Sequence, residues 1–410
     1  MPVTLNALNP TTDINTIVGM VNQAGPGVIA PEVFYSKQLL DTIRYDADKY
    51  VYFRVADAAP IQERADKLMV RRWAPLQAHT VPLAEGVPPK SDKGSVEKYE
   101  IDAAQYGRYM EFTDKVDFKA VDPVIAHYTK EYSLVAMETL DLLAREALLS
   151  IANPFYAGQA ANFEALTTDS KPSMTDLRLI VLSMKKQLVK PRNNGKFHVI
   201  GSPEFYFDMI EDPTVEKYMQ YNQTTKGMYD NTMLPSMFEM EFYESQMVPT
   251  SSEYVKEGKT YRRMYRMTAT GYEYSAIAED AVDANSNPYV TVVDGYVKDS
   301  RTGADASYIP EQIVWDIDRW NTDNKGQGND WYEFKAQHIL VLGKDALTRT
   351  GISGEDSAKM YVKPKGSSGV LDPIDQRQSI GFKINSVGFG STRLEAVVDY
   401  ICVPTQVLPV

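Results

Sequence analysis

Cysteine is almost absent from this 410-residue sequence: its one copy, Cys402, has no partner for an internal disulfide. Stability therefore draws nothing from an oxidising compartment, which suits assembly in a reducing cytoplasm. No apolar run approaches the ~20 residues needed to span a bilayer, and the start, MPVTLNALNPTTD, carries neither a basic n-region nor an apolar h-region. The expectation is a protein that is neither secreted nor inserted in a membrane. Basic charge is also in deficit, with 43 Lys and Arg against 55 Asp and Glu and a formal net charge of -12. A surface of that sign does not attract phosphate backbones in bulk, although inside a DNA-filled container it would keep the wall from sticking to the packed genome.

Catalytic and metal-binding patterns are lacking too. A P-loop needs glycine five positions before its Gly-Lys pair and Ser or Thr after it, but around Gly343 and Lys344 those places hold His338 and Asp345. His79, His127, His198 and His338 are scattered, without HExxH or a cysteine partner, so no transition-metal site is expected. His198 lies in an apolar strand and reads as an interior or edge residue. Asp283, Asn285 and Asn287 have the one-three-five oxygen spacing of a calcium loop, with Asp294 in twelfth place. Pro288 occupies the position that needs glycine, however, and an Asn-rich turn explains the run better. Asp316, Asp318, Asp323 and Asp330 offer oxygen ligands without a recognisable spacing. In YRRMYRM, Tyr261 to Met267, arginine alternates with aromatics as in single-strand binders. Strand period puts Arg262, Met264 and Arg266 on one side and Tyr261, Arg263, Tyr265 and Met267 on the other, so an amphipathic strand is the reading taken. Glu279 and Asp280 lie in a polar loop without an apolar wall to raise a pKa. No catalytic residue, cofactor or metal is expected, and no enzyme activity.

What is present is the composition of a folded chain, with 43% hydrophobic and 24% charged residues, at a length that suggests two or three domains. The first thirty residues, with Gly25, Pro26, Gly27 and Pro31, lack helical or strand period and read as an extended arm. KLMVRRWAPL reads as a strand. SVEKYEIDA and QYGRYMEFT follow as a hairpin, Tyr99, Ile101 and Ala103 on one face of its first strand and Lys98, Glu100 and Asp102 on the other. Such a lone ribbon is marginal in water, so it is expected to lie against a neighbour. A long helix begins at Asp122 with Pro123 behind it and runs to about Ala152. Ile125, Tyr128, Tyr132 and Val135, then Leu142, Leu143 and Leu149, give it an apolar side. A second helix follows Ser173, with Leu177, Ile180, Val181, Met184 and Leu188 as its stripe; a strand KFHVI and a helix opened by Ser202 and Pro203 come next. From about Thr250 to Phe334 the pattern is mostly β and loop. Regular strands return with HILVLG, KMYVKP, SIGFKINSVGFG and LEAVVDYICV, and the whole is a mixed α and β chain.

Five stretches, in this order, resemble the major capsid proteins of tailed double-stranded DNA phages, most closely the branch typified by the coliphage called N-four. They are VRRWAPLQAHTVPLAEGVPP, AAQYGRYMEFTDKVDFKAVDPVI, HVIGSPEFYFDMIEDP, ILVLGKDAL and VKPKGSSGVLDPIDQRQSIGFK. The resemblance implies an α+β capsid fold of the Hong Kong ninety-seven type. Its parts would be an N-terminal arm over 1–31, an N-terminal helix region over 32–65, an extended loop over 66–113 and a peripheral domain with a spine helix over 114–172. An axial domain over 173–249, a β-rich insertion in it over 250–336, and a return to axial domain and C-terminal peripheral strands over 337–410 complete the division. The implied role is a structural shell protein that forms hexamers and pentamers of an icosahedral capsid and encloses DNA without specific binding, in the virion, after assembly in the bacterial cytoplasm. Portal, scaffolding and decoration proteins are the implied partners, and Arg71, Arg72, Glu85, Lys98 and Arg108 the charged contacts between subunits. Alternative readings are an encapsulin-like nanocompartment shell, a glycan-binding or hydrolytic β-rich protein, and a tail or decoration protein.

Overall fold

The computed structural model describes residues 50–59, 61, 67–74, 76, 78, 80, 82, 91, 93–113, 124–192, 195–221, 237–268, 270–298, 305–315, 317–323, 331–352, 358–363 and 376–405. The arm expected over 1–31, Glu85 and the capping pair Asp122 and Pro123 lie outside them. In chain order the elements are helix α1 (Val51–Val55), strands β1 (Asp57–Ala58), β2 (Lys67–Trp73), β3 (Val96–Asp102) and β4 (Ala104–Thr113), and helix α2 (Val124–Ile151). Then come β5 (Asn153–Tyr156), α3 (Met174–Lys186), β6 (Phe197–Gly201), α4 (Pro203–Glu211), α5 (Pro213–Tyr221) and β7 (Met240–Glu244). The β-rich stretch holds β8 (Thr250–Ser251), β9 (Glu253–Lys256), β10 (Lys259–Thr268), β11 (Gly271–Ala278), β12 (Val290–Lys298), β13 (Asp305–Trp315), α6 (Ile317–Asp323) and β14 (Tyr332–Glu333). The chain ends on β15 (Ala336–Leu342), β16 (Thr348–Thr350), β17 (Ala358–Lys363), β18 (Arg377–Gly390) and β19 (Val397–Cys402).

Two larger sheets organise the chain. A six-stranded sheet runs β5-β19-β15-β6-β7, with β8 also on β15, and its central strands β6 and β15 bury nearly every residue. Strands buried on both faces need a layer on each. One layer is α3 with α4: the Tyr400 hydroxyl donates to Asp176 at 3.0 Å and Ser202 meets Gln337. The two helices touch end to end, where Asp212 accepts the amide of Met174 at 2.9 Å. The other layer is α1 with the C-terminal half of α2, whose Ala144 and Leu148 join the main core. The second sheet, β1-β16-β18-β17 with β4 along the other edge of β18, packs Ile380, Phe382, Ile384 and Val387 against Tyr132, Ala136 and Leu140 of α2.

Helix α2 thus serves two cores with one side. Its fully buried row is Tyr132, Ala136, Leu140, Ala144 and Leu148, a step of four residues that alternates large with small and lets both sheets approach. Of the apolar side read from the sequence, Tyr132 belongs to this row, whereas Tyr128, Val135, Leu142, Leu143 and Leu149 flank it and are only partly buried. At 28 residues and ~1.5 Å per residue the helix is about 42 Å long, enough to run beneath both sheets.

Local signals at α3 and α4 act as expected. The Ser173 hydroxyl accepts the Asp176 amide at 3.2 Å and Ser202 accepts that of Phe205 at 3.1 Å, with Pro203 in the first turn. Leu177, Ile180, Val181 and Met184 are buried. Leu188 is not part of that stripe. Helix α3 stops at Lys186, the amides of Leu188 and Val189 turn back to Lys185 and Met184, and Leu188 takes a φ of 59° with 79% of its surface exposed.

The hairpin expected between SVEKYEIDA and QYGRYMEFT does not form. Strand β3 pairs antiparallel with β2, while β4 pairs with β18 from Arg377↔Thr113 to Val387↔Ala104. Between Asp102 and Ala104 the chain crosses from a two-stranded ribbon into the second sheet. An alternating pattern fixes which face a residue takes and says nothing of the partner strand; the deeper apolar row available on β18 captured β4.

The β-rich stretch leaves and rejoins the six-stranded sheet at adjacent positions, since Thr250 and Ser251 pair with Gln337 and Ala336. Within it β10 is central, bonded to β9, β11 and β14, and is covered on both sides. Met264 joins Ile277, Tyr289 and Trp331 in a small core, whereas Tyr265 faces Phe334 and the main core.

Candidate assembly surfaces

The ribbon of β2 and β3 has two unlike faces. On the inner one, Ile101 is buried and its side chain fills the space where a Cβ on Gly390 would sit. Gly388 admits the carbonyl oxygen of Asp102, 2.1 Å from where its Cβ would be, so the glycines of SIGFKINSVGFG seat the base of the ribbon on β18. Arg72 reaches Glu395 at 3.4 Å from this face, and Tyr99 donates to Glu97 at 2.9 Å. The ribbon does not stand clear of its own subunit: one side rests on it.

The outer face is open. It carries Lys67 with Asp102 (3.0 Å), Met69 with Glu100, Arg71 with Lys98 and Trp73 with Val96 as directly opposed pairs. Trp73 is 75% exposed and Met69 51%. Arg71 and Lys98, two cations squarely opposite each other, repel and destabilise an isolated ribbon by some tenths of a kcal/mol. An exposed indole and thioether beside these two cations, with Glu100 the nearest acid on the same face, form a surface matched to an apolar counterpart that carries acidic groups. The sequence-predicted contacts thus divide. Arg71 and Lys98 come together on the open face, Arg72 turns inward to its own chain, and Arg108 sits in β4 opposite Phe382, exposed and in another sheet. The exposed Trp73 and Met69 were missed, although their place in the KLMVRRW alternation, on the side of Arg71, marked them.

The other sequence motifs have internal duties. Arg263 is buried, its guanidinium 4.7 and 4.5 Å from the rings of Tyr274 and Phe334, and it donates to the carbonyl of Phe163 at 2.8 Å. Burial holds its pKa below the ordinary arginine value. Arg266 stacks on Trp331 and bonds Glu273 at 2.6 Å, and Arg262 bonds Glu333 at 2.7 Å. All three arginines of YRRMYRM serve the packing of β10. Asp283 accepts the amides of Asn285 and Asn287, both at 2.8 Å, and pairs with Arg319, so this run is a turn. Asp323 accepts the Tyr289 hydroxyl at 2.8 Å. His198 is interior, its ring 4.9 Å from that of Tyr243 and tilted to it, and burial, aided by Arg192, pushes its pKa down to about 4. No group of three or more metal-ligating side chains occurs among the described residues.

A family model described as phage capsid protein matches residues 97–324, more than half of the chain. The chain belongs to the phage capsid protein family. It is similar in fold to the capsid protein of cyanophage P-SCSP1u (12% identity over 95% of this chain and 98% of that one, TM-score 0.53). It is also similar to those of Ralstonia phage GP4 (10%, 94% and 100%, TM-score 0.55) and cyanophage Pam1 (8%, 93% and 100%, TM-score 0.55). No curated protein matches. The α+β fold is the tailed-phage capsid type, and the role of the chain is that of a capsid shell protein. The family match begins at Glu97 in β3 and ends inside the β-rich stretch, so that stretch belongs to the family's pattern as far as residue 324.

Proposed function

We propose that the chain is the major shell protein of a tailed double-stranded DNA phage of the branch typified by coliphage N-four, forming hexamers and pentamers that close an icosahedral container. Assembly takes place in the bacterial cytoplasm, portal, scaffolding and decoration proteins are its partners, and the role is mechanical. The open ribbon face with Trp73, Met69, Arg71 and Lys98 carries this reading, because a marginal two-stranded element that exposes an indole gains stability when a sister subunit covers it. Residues 66–113 act as the extended loop, 1–31 as the arm, 114–172 as the peripheral domain with α2 as spine, and 173–249 with 337–410 as the body into which 250–336 is inserted. Many weak contacts in such rings give a stable particle while single misplaced subunits still leave.

The test is negative-stain imaging of the chain expressed alone, beside Trp73→Ser and a deletion of residues 1–30. Spheres from the parent, and soluble folded subunits without spheres from both variants, are expected. Normal shells from Trp73→Ser would remove the ribbon from the mechanism, and normal shells from the truncation would remove the arm. DNA within particles purified from infected cells separates this reading from a nanocompartment.

A further inference from the structure

The outward sides of α3 and α4, which lie in the same layer, carry mirror-image charge patterns. On α3, Arg178, Leu182 and Lys185 follow one another at steps of four and three, all exposed, Leu182 by 49%. On α4, Glu204, Phe207 and Glu211 follow at steps of three and four, Phe207 56% exposed, Glu211 exposed, and Glu204 half-buried with one carboxylate oxygen accepting from Gln337 at 3.3 Å. The ends of each stripe lie seven residue steps apart, about 10.5 Å of helix, with an apolar side chain between two charges of one sign, positive on α3 and negative on α4. The α3 stripe also borders a groove. Its far wall is the tight turn Met237–Met240, closed by paired backbone hydrogen bonds of 2.8 and 3.1 Å, whose central residues Phe238 and Glu239 both have positive φ, 48° and 64°. Arg178 stacks on the Phe238 ring at 5.0 Å and Lys185 pairs with Glu239, so the groove has an apolar floor and a rim that Arg178, Lys185 and Glu239 together leave with one net positive charge. Phe238, 38% exposed, and Leu188 both display large apolar side chains from left-handed positions where glycine or asparagine costs least. Such strain is tolerated where an exposed side chain serves a contact.

We infer that the α4 stripe of one subunit docks on the α3 groove of a second copy of this chain, Phe207 entering between Leu182 and Phe238 while Glu204 and Glu211 meet Arg178 and Lys185. Charge complementarity and equal stripe length select the occupant, since both halves of the match are on this one chain. A contact between two different patches is heterologous, so repetition closes a ring in which every subunit gives one stripe and receives one. The inference rests on the reading of the chain as a self-assembling shell protein and adds to it a pair of surfaces outside the ribbon and the arm.

Two charge-reversed chains test it: Arg178→Glu with Lys185→Glu, and Glu204→Lys with Glu211→Lys. Either variant alone sets like charges against each other and is expected to sediment as single subunits with native circular dichroism. An equimolar mixture restores opposite charges at every contact of an alternating ring and is expected to sediment as rings or larger species. Either variant assembling alone like the parent overturns the docking, as does a mixture that stays dissociated while both variants are folded. If a reversal prevents folding, Phe207→Gln decides, because an exposed side chain is replaced: it is expected to lower the yield of assembled species at least tenfold, and parent-like yield refutes the inference. A parent chain that never associates would instead count against the shell reading.

Discussion

Asp141 sits on α2 with no exposed surface, at the point where α1 meets the main core. One carboxylate oxygen accepts the amide of Phe53 at 2.8 Å, while the other has no hydrogen-bond partner. Burial raises its pKa from 3.8 to about 6, against the opposing pull of the Phe53 and Tyr52 amides and of Arg145. Because the folded value is the higher one, the folded state holds more protons between pH 3.8 and 6, and stability falls as pH rises through that window. Each unit is worth ~1.36 kcal/mol, so at pH 7 the ionised group costs at most about 3 kcal/mol relative to pH 3.5, and half of that is a reasonable lower figure. Asp141→Asn keeps one acceptor for the Phe53 amide and cannot ionise. Urea unfolding of soluble subunits from pH 4 to 7.5, parent beside variant, cancels groups that titrate in both. The parent is expected to lose 1–3 kcal/mol relative to Asp141→Asn over this range, with the change centred near pH 5. A parent-minus-variant difference that stays flat or rises with pH would refute the assignment of a desolvated carboxyl at this position.

Three further outcomes follow from packing. Leu148→Ala removes a fully buried side chain from the C-terminal half of α2 and is expected to destabilise the subunit by about 2–5 kcal/mol, read as a lower urea midpoint at unchanged slope. Gly388→Ala puts a methyl against the carbonyl of Asp102; a cost of about 1–3 kcal/mol and faster amide exchange over 96–102 are expected, with β15 as protected as before. Arg263→Ala takes away two ring contacts and the donor to Phe163, a loss of about 2–4 kcal/mol, which hydrogen exchange is expected to report first in 253–278.

Sequence made legible those elements whose signals are local. Ser173 and Ser202 mark the starts of α3 and α4 because a cap acts within three residues, and the length of α2 was visible because helical period accumulates over many turns. Partners of strands were not legible. The ribbon was assigned to neighbours in sequence, β3 with β4, whereas β18, about 275 residues away, supplies the row of Ile380, Phe382 and Ile384 that β4 lies beside. The same limit applies to β10. Its alternation suggested one wet face, but Arg263 and Arg266 are buried through aromatic rings brought from Tyr274, Phe334 and Trp331. Among the assembly residues, the basic character of Arg71 and Lys98 could be read directly. Their direct opposition could not, since it requires the register with β2.

The division between inner and outer sides follows one rule in the ribbon, in α3 and in α4. The ribbon turns Ile101 and Arg72 to its own chain and Trp73 outward; α4 buries Phe205 and Met209 and exposes Phe207; α3 buries Val181 and Met184 and exposes Leu182. In each case the inner face supplies the packing, and on the ribbon an ion pair as well, that seats the element on its own subunit. Trp73, Phe207 and Leu182 are 75%, 56% and 49% exposed, so much of their apolar surface has no cover within the subunit that carries them. Single exposed apolar residues are common on protein surfaces. In a chain that must be soluble as a subunit and still adhere to copies of itself they have a use, since each small patch is too weak to aggregate singly and the sum over a closed shell is large.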